Sequence, residues 1–175
     1  MNYRRKFKLI SIHHLAILLV CILGVFAIIG SGGQRYLSYS QPIVQISSNE
    51  YFEAKLRPDC SPYCYSFDLT IQNLTNSDLE LDWNKTLFIA NGTTAGGFMF
   101  DGILYKDRNN PKPPDIIFAK SSFEKTIYPN KYVEYYDGWH NRRMPPGEYG
   151  VYLNIKVGDK EIKEKLLVNL VTEKR

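Results

Sequence analysis

Residues 147–171 read GEYGVYLNIKVGDKEIKEKLLVNLV, and this stretch decides the fold class. Its first half alternates apolar and polar residues, with one face formed by Tyr149, Val151, Leu153, Ile155 and Val157. GDK at residues 158–160 then turns the chain, and EIKEKLLVNLV returns with lysines along its edge. Alternation on both sides of a short turn is typical of an antiparallel β-hairpin, and the sequence predicts one here.

The chain before this hairpin carries the same strand pattern. CYSFDLTIQNL at residues 64–74 alternates, with Tyr65, Phe67, Leu69 and Ile71 on one side. Six more short runs follow between turn residues: LELDW, TLFIANG, FMFDGILY, IIFAK, FEKTIY and YVEYY. About nine short strands without a helical period predict an all-β, antiparallel sandwich of about 7–9 strands. Two long connections interrupt them, at residues 107–115 and 137–147.

RMPPGEYGVYL at residues 143–153 resembles the approach to strand F of immunoglobulin-like (Ig-like) domains. There a tight Pro/Gly turn precedes a tyrosine whose hydroxyl bonds back to the corner, and Tyr149 occupies that position. The likeness covers residues 41–171 in pattern, without the inter-sheet disulfide of antibody domains. The chain thus resembles Ig-like β-sandwich domains of uncharacterised exported bacterial proteins. The resemblance implies an Ig-like domain over residues 41–175 and no activity.

The first 33 residues have the pattern of an export segment. MNYRRKFK is followed by an apolar run from Leu15 to Gly30, and a basic start before an apolar run is typical of signal peptides and signal anchors. This pattern predicts one N-terminal transmembrane or signal helix within residues 1–33, joined by a linker at residues 34–40. As a helix the run rises about 24 Å, short of the bilayer core, although upstream apolar residues extend it. GSGG at residues 30–33 equally suits signal peptidase, so a retained anchor and a cleaved signal both remain open.

The positive-inside rule places the domain after this segment on the extracytoplasmic side, periplasmic or extracellular. It would be held at the cytoplasmic membrane by the helix, or secreted if the signal is cleaved. The net charge of +4 adds no indication of a polynucleotide ligand. Of the 22 basic residues, Arg4, Arg5, Lys6 and Lys8 lie in the first eight positions, and the other 18 equal the 18 acidic residues. We expect no nucleic-acid partner.

Cys60 and Cys64, in RPDCSPYCYS at residues 57–66, invite a chemical interpretation. In an oxidising compartment the pair is expected to form a structural disulfide across a tight turn. The alternative is a copper or thiol-redox site, since the spacing resembles the CxxxCP motif of copper chaperones with a thioredoxin fold. Tyr65 stands where that motif has proline, and a zinc site would have only His140 to add to the two cysteines.

The second connection and the strand before it form a candidate ligand-binding loop. Its side chains are of the types that bind sugars, carboxylates or proteins: Tyr135, Tyr136, Trp139, His140, Arg142 and Arg143. The structural alternative is a long connection whose tryptophan covers one end of the sandwich. His140 with Met144 is a further candidate pair for Cu(I).

No catalytic set stands out, because His140 is the only histidine outside the export segment and no serine-elbow pattern accompanies it. We therefore expect a non-enzymatic binding or assembly module without metal or cofactor, anchored or secreted, with an unknown protein or glycan partner. The alternative is a periplasmic copper-handling or thiol-redox protein using Cys60 and Cys64. Three glycosylation triplets, at Asn73, Asn84 and Asn91, also occur, as Asn and Thr often do at turns and strand edges.

Overall fold

The computed structural model describes residues 36–174, which form antiparallel β-sheets and two short 3-10 helices, Tyr105–Asp107 and Asn130–Tyr132. The strands are β1 (Tyr36–Gln41), β2 (Gln45–Ser48), β3 (Phe52–Cys60), β4 (Cys64–Asn73), β5 (Leu79–Leu81), β6 (Leu87–Ala90), β7 (Thr93–Thr94), β8 (Phe98–Met99), β9 (Asp115–Ile117), β10 (Ser122–Pro129), β11 (Val133–Tyr135), β12 (Trp139–Asn141), β13 (Gly147–Val157) and β14 (Lys160–Lys174). The all-β, antiparallel class is therefore confirmed. The helix predicted within residues 1–33 lies outside the described residues. Between residues 36 and 174 no helix is long and apolar enough to cross a membrane.

The first sheet is built on the predicted hairpin. β13 and β14 pair from Gly147 opposite Leu170 to Val157 opposite Lys160. β1 pairs with the outer edge of β14, while β5 and β6 share the other edge of β13. β9 adds to β5 and β7 to β6. The long hairpin is thus the centre of a seven-stranded sheet.

The second sheet has the strand order β2, β3, β4, β10, β8. β3 and β4 form a hairpin whose last pair is Cys60 opposite Cys64, and a disulfide joins these two residues. β4 confirms the strand predicted from CYSFDLTIQNL, because Phe67, Leu69 and Ile71 are fully buried.

Both sheets contribute to one hydrophobic core. Phe88 of β6 lies at its centre, stacked on Tyr149 of β13 and in tilted contact with Phe67 of β4. Phe98 and Tyr132 each meet Phe88 edge to face. Burying a large apolar side chain contributes about 1.5–3 kcal/mol, and aromatic pairs add to this. The aromatic cluster is therefore a principal source of stability.

The prediction of a linker at residues 34–40 is wrong for residues 36–40, which belong to a strand. Tyr36 begins β1, which pairs with β14 from Tyr36 opposite Lys174 to Gln41 opposite Asn169. The compact unit accordingly starts at Tyr36 and not at residue 41. The short, polar β1 sequence gives a weak local signal, and its conformation comes from hydrogen bonding to the edge of β14.

The described residues also contain more strands than the predicted 7–9. β3 was missed, although Phe52, Ala54 and Leu56 are buried at alternate positions. Pro58 in this run obscured the signal, since proline weakens a strand prediction. FMFDGILY, predicted as one strand, keeps only Phe98–Met99, because the chain turns at Gly102, whose φ is 91°.

Candidate functional site

The predicted ligand loop at residues 137–147 is in part a β-hairpin rather than an irregular connection. β11 and β12 pair with Glu134 opposite His140 and Tyr135 opposite Trp139. Gly138, with φ of 95°, occupies the turn between them. Backbone pairing overrode the expectation of a loop because both sides of this turn carry strand-forming aromatic residues.

One side of this hairpin packs on the domain. Trp139 is half-buried, and its ring lies edge to face with Tyr128 at 5.1 Å. The ring of Tyr135, opposite Trp139, lies 5.3 Å from that of Tyr105. Trp139 thus contacts the end of β10, in agreement with the structural alternative of a covering tryptophan.

Other side chains of the hairpin contact each other. Tyr136 and His140 stack at 3.8 Å with an interplanar angle of 6°, and His140 Nε2 lies 3.3 Å from the Asp137 carbonyl oxygen. Arg142 Nε lies 2.8 Å from Glu134 Oε1 in an exposed ion pair. Arg142 is therefore already partnered, which reduces its capacity to grip an external carboxylate.

Exposed apolar side chains gather beside the hairpin. Leu104 is 61% exposed, Tyr135 63% and Tyr136 72%. Leu104, Tyr105 and Tyr135 line a depression of about 300 Å³ together with Lys106. We call Leu104, Tyr105, Tyr135 and Tyr136 the aromatic surface. Sequence reasoning missed Leu104 and Tyr105, because they come from a distant segment that only the fold brings to the hairpin.

Arg143 lies apart from the other predicted ligand residues. Its guanidinium carbon is 5.1 Å from the centre of the Tyr63 ring. It borders a groove of about 290 Å³ lined chiefly by Tyr36, Tyr63, Arg143, Met144, Pro145 and Pro146. We call this the tyrosine–arginine groove. The six residues predicted as one loop site therefore divide between the hairpin and a separate groove.

The cysteine pair forms the disulfide expected from the sequence. Thiolates, not disulfide sulfurs, ligate copper, so a copper site at this pair requires its reduced form, whereas a redox pair would pass through both forms. Met144 is buried, and its amide donates to the Cys64 carbonyl at 2.9 Å. In residues 36–174 no group of three or more His, Cys, Asp or Glu side chains is placed to hold a metal ion.

Tyr149, the predicted corner tyrosine, is 1% exposed. Its hydroxyl oxygen lies 3.3 Å from the hydroxyl oxygen of Tyr132. The described contact of this tyrosine is thus with the hydroxyl of a residue 17 positions earlier in the chain. Burial, and then the hydrogen bond with Tyr132, raise the pKa of Tyr149 above its ordinary value.

The three glycosylation triplets differ in accessibility. Asn73 is fully buried, and its Nδ2 donates to three carbonyls, including that of Ile117 at 3.0 Å. Asn84 Nδ2 donates to the Lys112 carbonyl at 2.8 Å. Asn91 is exposed in the turn after β6, where its Oδ1 accepts from the Glu148 amide. Only Asn91 among them is exposed without a described bond from Nδ2.

Comparison with protein-family models, curated protein sequences and solved structures finds no significant match to this chain. The function is therefore inferred from the chemistry and placement of the chain's own residues.

Proposed function

We propose that the chain is a non-enzymatic binding or assembly module, built as an Ig-like β-sandwich and acting outside the cytoplasmic membrane. The export-type sequence of residues 1–33 supports this placement, with anchoring or secretion both possible outcomes of processing. The disulfide between Cys60 and Cys64 also supports it, because disulfides persist mainly in oxidising compartments.

The Ig-like arrangement is part of the proposal. Its support is the two antiparallel sheets around one core and the buried tyrosine that follows the Pro145–Pro146–Gly147 turn. In Ig-like domains loops at the ends of the sandwich carry binding, while the sheets supply a rigid frame. The hairpin of β11 and β12 lies in the connection before β13. In chain order this is a position where Ig-like domains have a loop that can bind a partner.

The observation that carries the binding function is the aromatic surface. Leu104, Tyr135 and Tyr136 are more than half exposed, although each would gain by burial. Tyrosine is enriched in protein interfaces because its large, rigid ring is ordered at little entropic cost. The guanidinium of Arg108 lies 4.1 Å from the centre of the Tyr105 ring, adding the cation and aromatic mixture typical of interface centres.

A protein is the partner that this surface fits best. Leu104 is aliphatic and 61% exposed at the surface, and an aliphatic side chain offers a sugar ring neither a stacking face nor a hydrogen bond. A depression of about 300 Å³ is also of the size that receives one or two side chains of a partner. A glycan is the competing partner, which the experiment below distinguishes.

The experiment is photo-crosslinking of the full chain in membranes or culture medium of its source organism. The variant Tyr135→Ala/Tyr136→Ala is compared with Ile116→Ala/Phe118→Ala, which removes two other exposed apolar side chains, at and beside β9. We expect the first pair to lower partner capture about tenfold or more, since each interface tyrosine contributes about 1–2 kcal/mol. The control pair should leave capture unchanged.

Equal capture by both double variants would contradict the proposed surface. A crosslinked glycan that survives protease treatment, and that is lost in the variant Tyr135→Ala/Tyr136→Ala, would identify a glycan partner instead. Thermal unfolding of each variant serves to show that exposed substitutions leave the fold intact, because truncation of solvent-exposed side chains usually changes stability by less than about 0.5 kcal/mol.

A further inference from the structure

The tyrosine–arginine groove lies where the described chain begins. Tyr36 is the first residue of β1, and the Ser38 amide donates to the Pro62 carbonyl at 2.8 Å, which holds β1 to the turn that carries Tyr63. Pro145 and Pro146 form another wall. The groove therefore combines two tyrosines, exposed prolines and one arginine beside the β3–β4 turn.

The charge of Arg143 is not neutralised within the domain. Among residues 36–174, ion pairs involve other cations, including the neighbouring Arg142, and none includes Arg143. Its described contact is the Tyr63 ring, whose centre lies 5.1 Å from the guanidinium carbon. A guanidinium beside aromatic rings is well suited to a phosphate, which it binds through two parallel hydrogen bonds.

The sequence limits the length of chain between Tyr36 and the predicted membrane segment. Five residues, 31–35, separate Gly30 at the end of the apolar run from Tyr36. Even a fully extended chain of this length reaches only about 20 Å. The headgroup layer lies directly outside the hydrocarbon core, and tyrosine is enriched at that level in membrane proteins.

We infer that the tyrosine–arginine groove docks on phospholipid headgroups, with Arg143 binding a lipid phosphate and Tyr36 and Tyr63 lying at headgroup level. The inference rests on the proposed attachment to the membrane and adds an orientation to it. β14 runs about 45 Å from the groove end at Lys174 to the turn at Gly158–Asp159. That turn would point away from the bilayer.

The test uses the full chain reconstituted in phosphatidylethanolamine/phosphatidylglycerol vesicles, with or without lipids brominated near the headgroup. Tyr63→Trp adds a fluorophore at the groove and keeps a ring for Arg143, since tryptophan binds cations at least as well. Asp159→Trp adds the same fluorophore at the far turn. The fluorescence of the native tryptophans is subtracted. We expect brominated lipid to lower the fluorescence of Trp at position 63 at least twofold and to leave that of Trp at position 159 almost unchanged.

The contribution of Arg143 is tested in the Tyr63→Trp background. Arg143→Glu should abolish most of the quenching, and Arg143→Gln, which is milder for folding, should at least halve it. The matched control is Lys165→Glu, the same charge reversal on an exposed residue in the middle of β14. This variant should retain the full quenching by brominated lipid.

Flotation of the same vesicles separates the two claims. A chain that floats with vesicles but shows equal quenching at positions 63 and 159 would overturn the docking inference and leave the membrane attachment standing. A chain that does not float would contradict retained anchoring, and the docking inference with it. Quenching that persists in both Arg143 variants would overturn the assignment of the phosphate to Arg143.

Discussion

The hydroxyl oxygens of Tyr132 and Tyr149 lie 3.3 Å apart inside the core, where the two rings meet at 80°. The pair joins the 3-10 helix that precedes the candidate binding hairpin to the central strand β13. It therefore links the rigid sheet to the element that displays the aromatic surface.

Removing one hydroxyl of this pair should destabilise the domain. Tyr149→Phe leaves the Tyr132 hydroxyl buried without its partner, at a cost of about 1–2 kcal/mol in the free energy of unfolding. Tyr132→Phe should cost a similar amount. Urea denaturation of the two single variants and the double variant forms a thermodynamic cycle. A double variant that loses the sum of both single effects would show that the hydroxyls do not interact.

The same pair gives the stability a dependence on alkaline pH. Burial first, and the hydrogen bond with Tyr132 second, raise the pKa of Tyr149 above the ordinary tyrosine value of 10.0. The folded state then holds a proton that the unfolded state loses, so this stabilisation is complete below pH 10 and declines as the pH rises towards the folded-state pKa. Urea midpoints from pH 8 to 11 should fall above pH 10. The fall should be shallower in Tyr149→Phe, and identical profiles would contradict the assignment.

Gly150 is required by the close approach of β13 and β14. A Cβ at this position would lie 1.9 Å from the Leu166 carbonyl oxygen, a backbone atom that cannot move aside alone. We expect Gly150→Ala to lower the free energy of unfolding by about 1–3 kcal/mol or more. Gly97→Ala is the matched control, since its nearest neighbour would be Asn130 Nδ2 at 3.9 Å. Equal stability of the two variants would contradict the predicted clash.

The strands with complete alternation were predictable from sequence. β4 and the β13–β14 hairpin carry their signal locally, because their buried apolar residues recur at every second position. β1 was not predictable, since its conformation depends on the edge of β14, more than one hundred residues away. The need for Gly150 likewise depends on the backbone of a paired strand.

The candidate site was predictable only in part. The sequence identified Tyr135 and Tyr136, because adjacent aromatic residues beside a turn are conspicuous. Leu104 and Tyr105 join them through tertiary structure alone. Arg142 and Arg143 are adjacent in sequence but contact Glu134 and Tyr63 respectively, since successive side chains of an extended chain point in opposite directions.

Asn73 should carry no glycan in the folded protein when the full chain passes through a eukaryotic secretory pathway, whereas Asn84 and Asn91 are accessible to one. Asn73 is fully buried and its Nδ2 donates to three carbonyls, which the one N–H left on a glycosylated amide could not satisfy, whereas Asn84 and Asn91 are exposed. Intact mass should show at most two glycans on the folded protein, and the double variant Asn84→Gln/Asn91→Gln should remove both. A glycan at Asn73 in folded protein would contradict the described core.

The central claim is that the domain folds outside the cytoplasm as a scaffold closed by a structural disulfide. The most direct measurement counts free thiols in a full-length variant whose third cysteine is replaced, Cys21→Ser, so that only Cys60 and Cys64 can be labelled. The cells are quenched with acid, and the protein is labelled with a thiol-reactive mass tag without reductant. We expect no tag on Cys60 or Cys64 before reduction, and two tags after full reduction. Two tags before reduction, or a metal ion that co-purifies and blocks them, would contradict it and favour the copper or redox alternative.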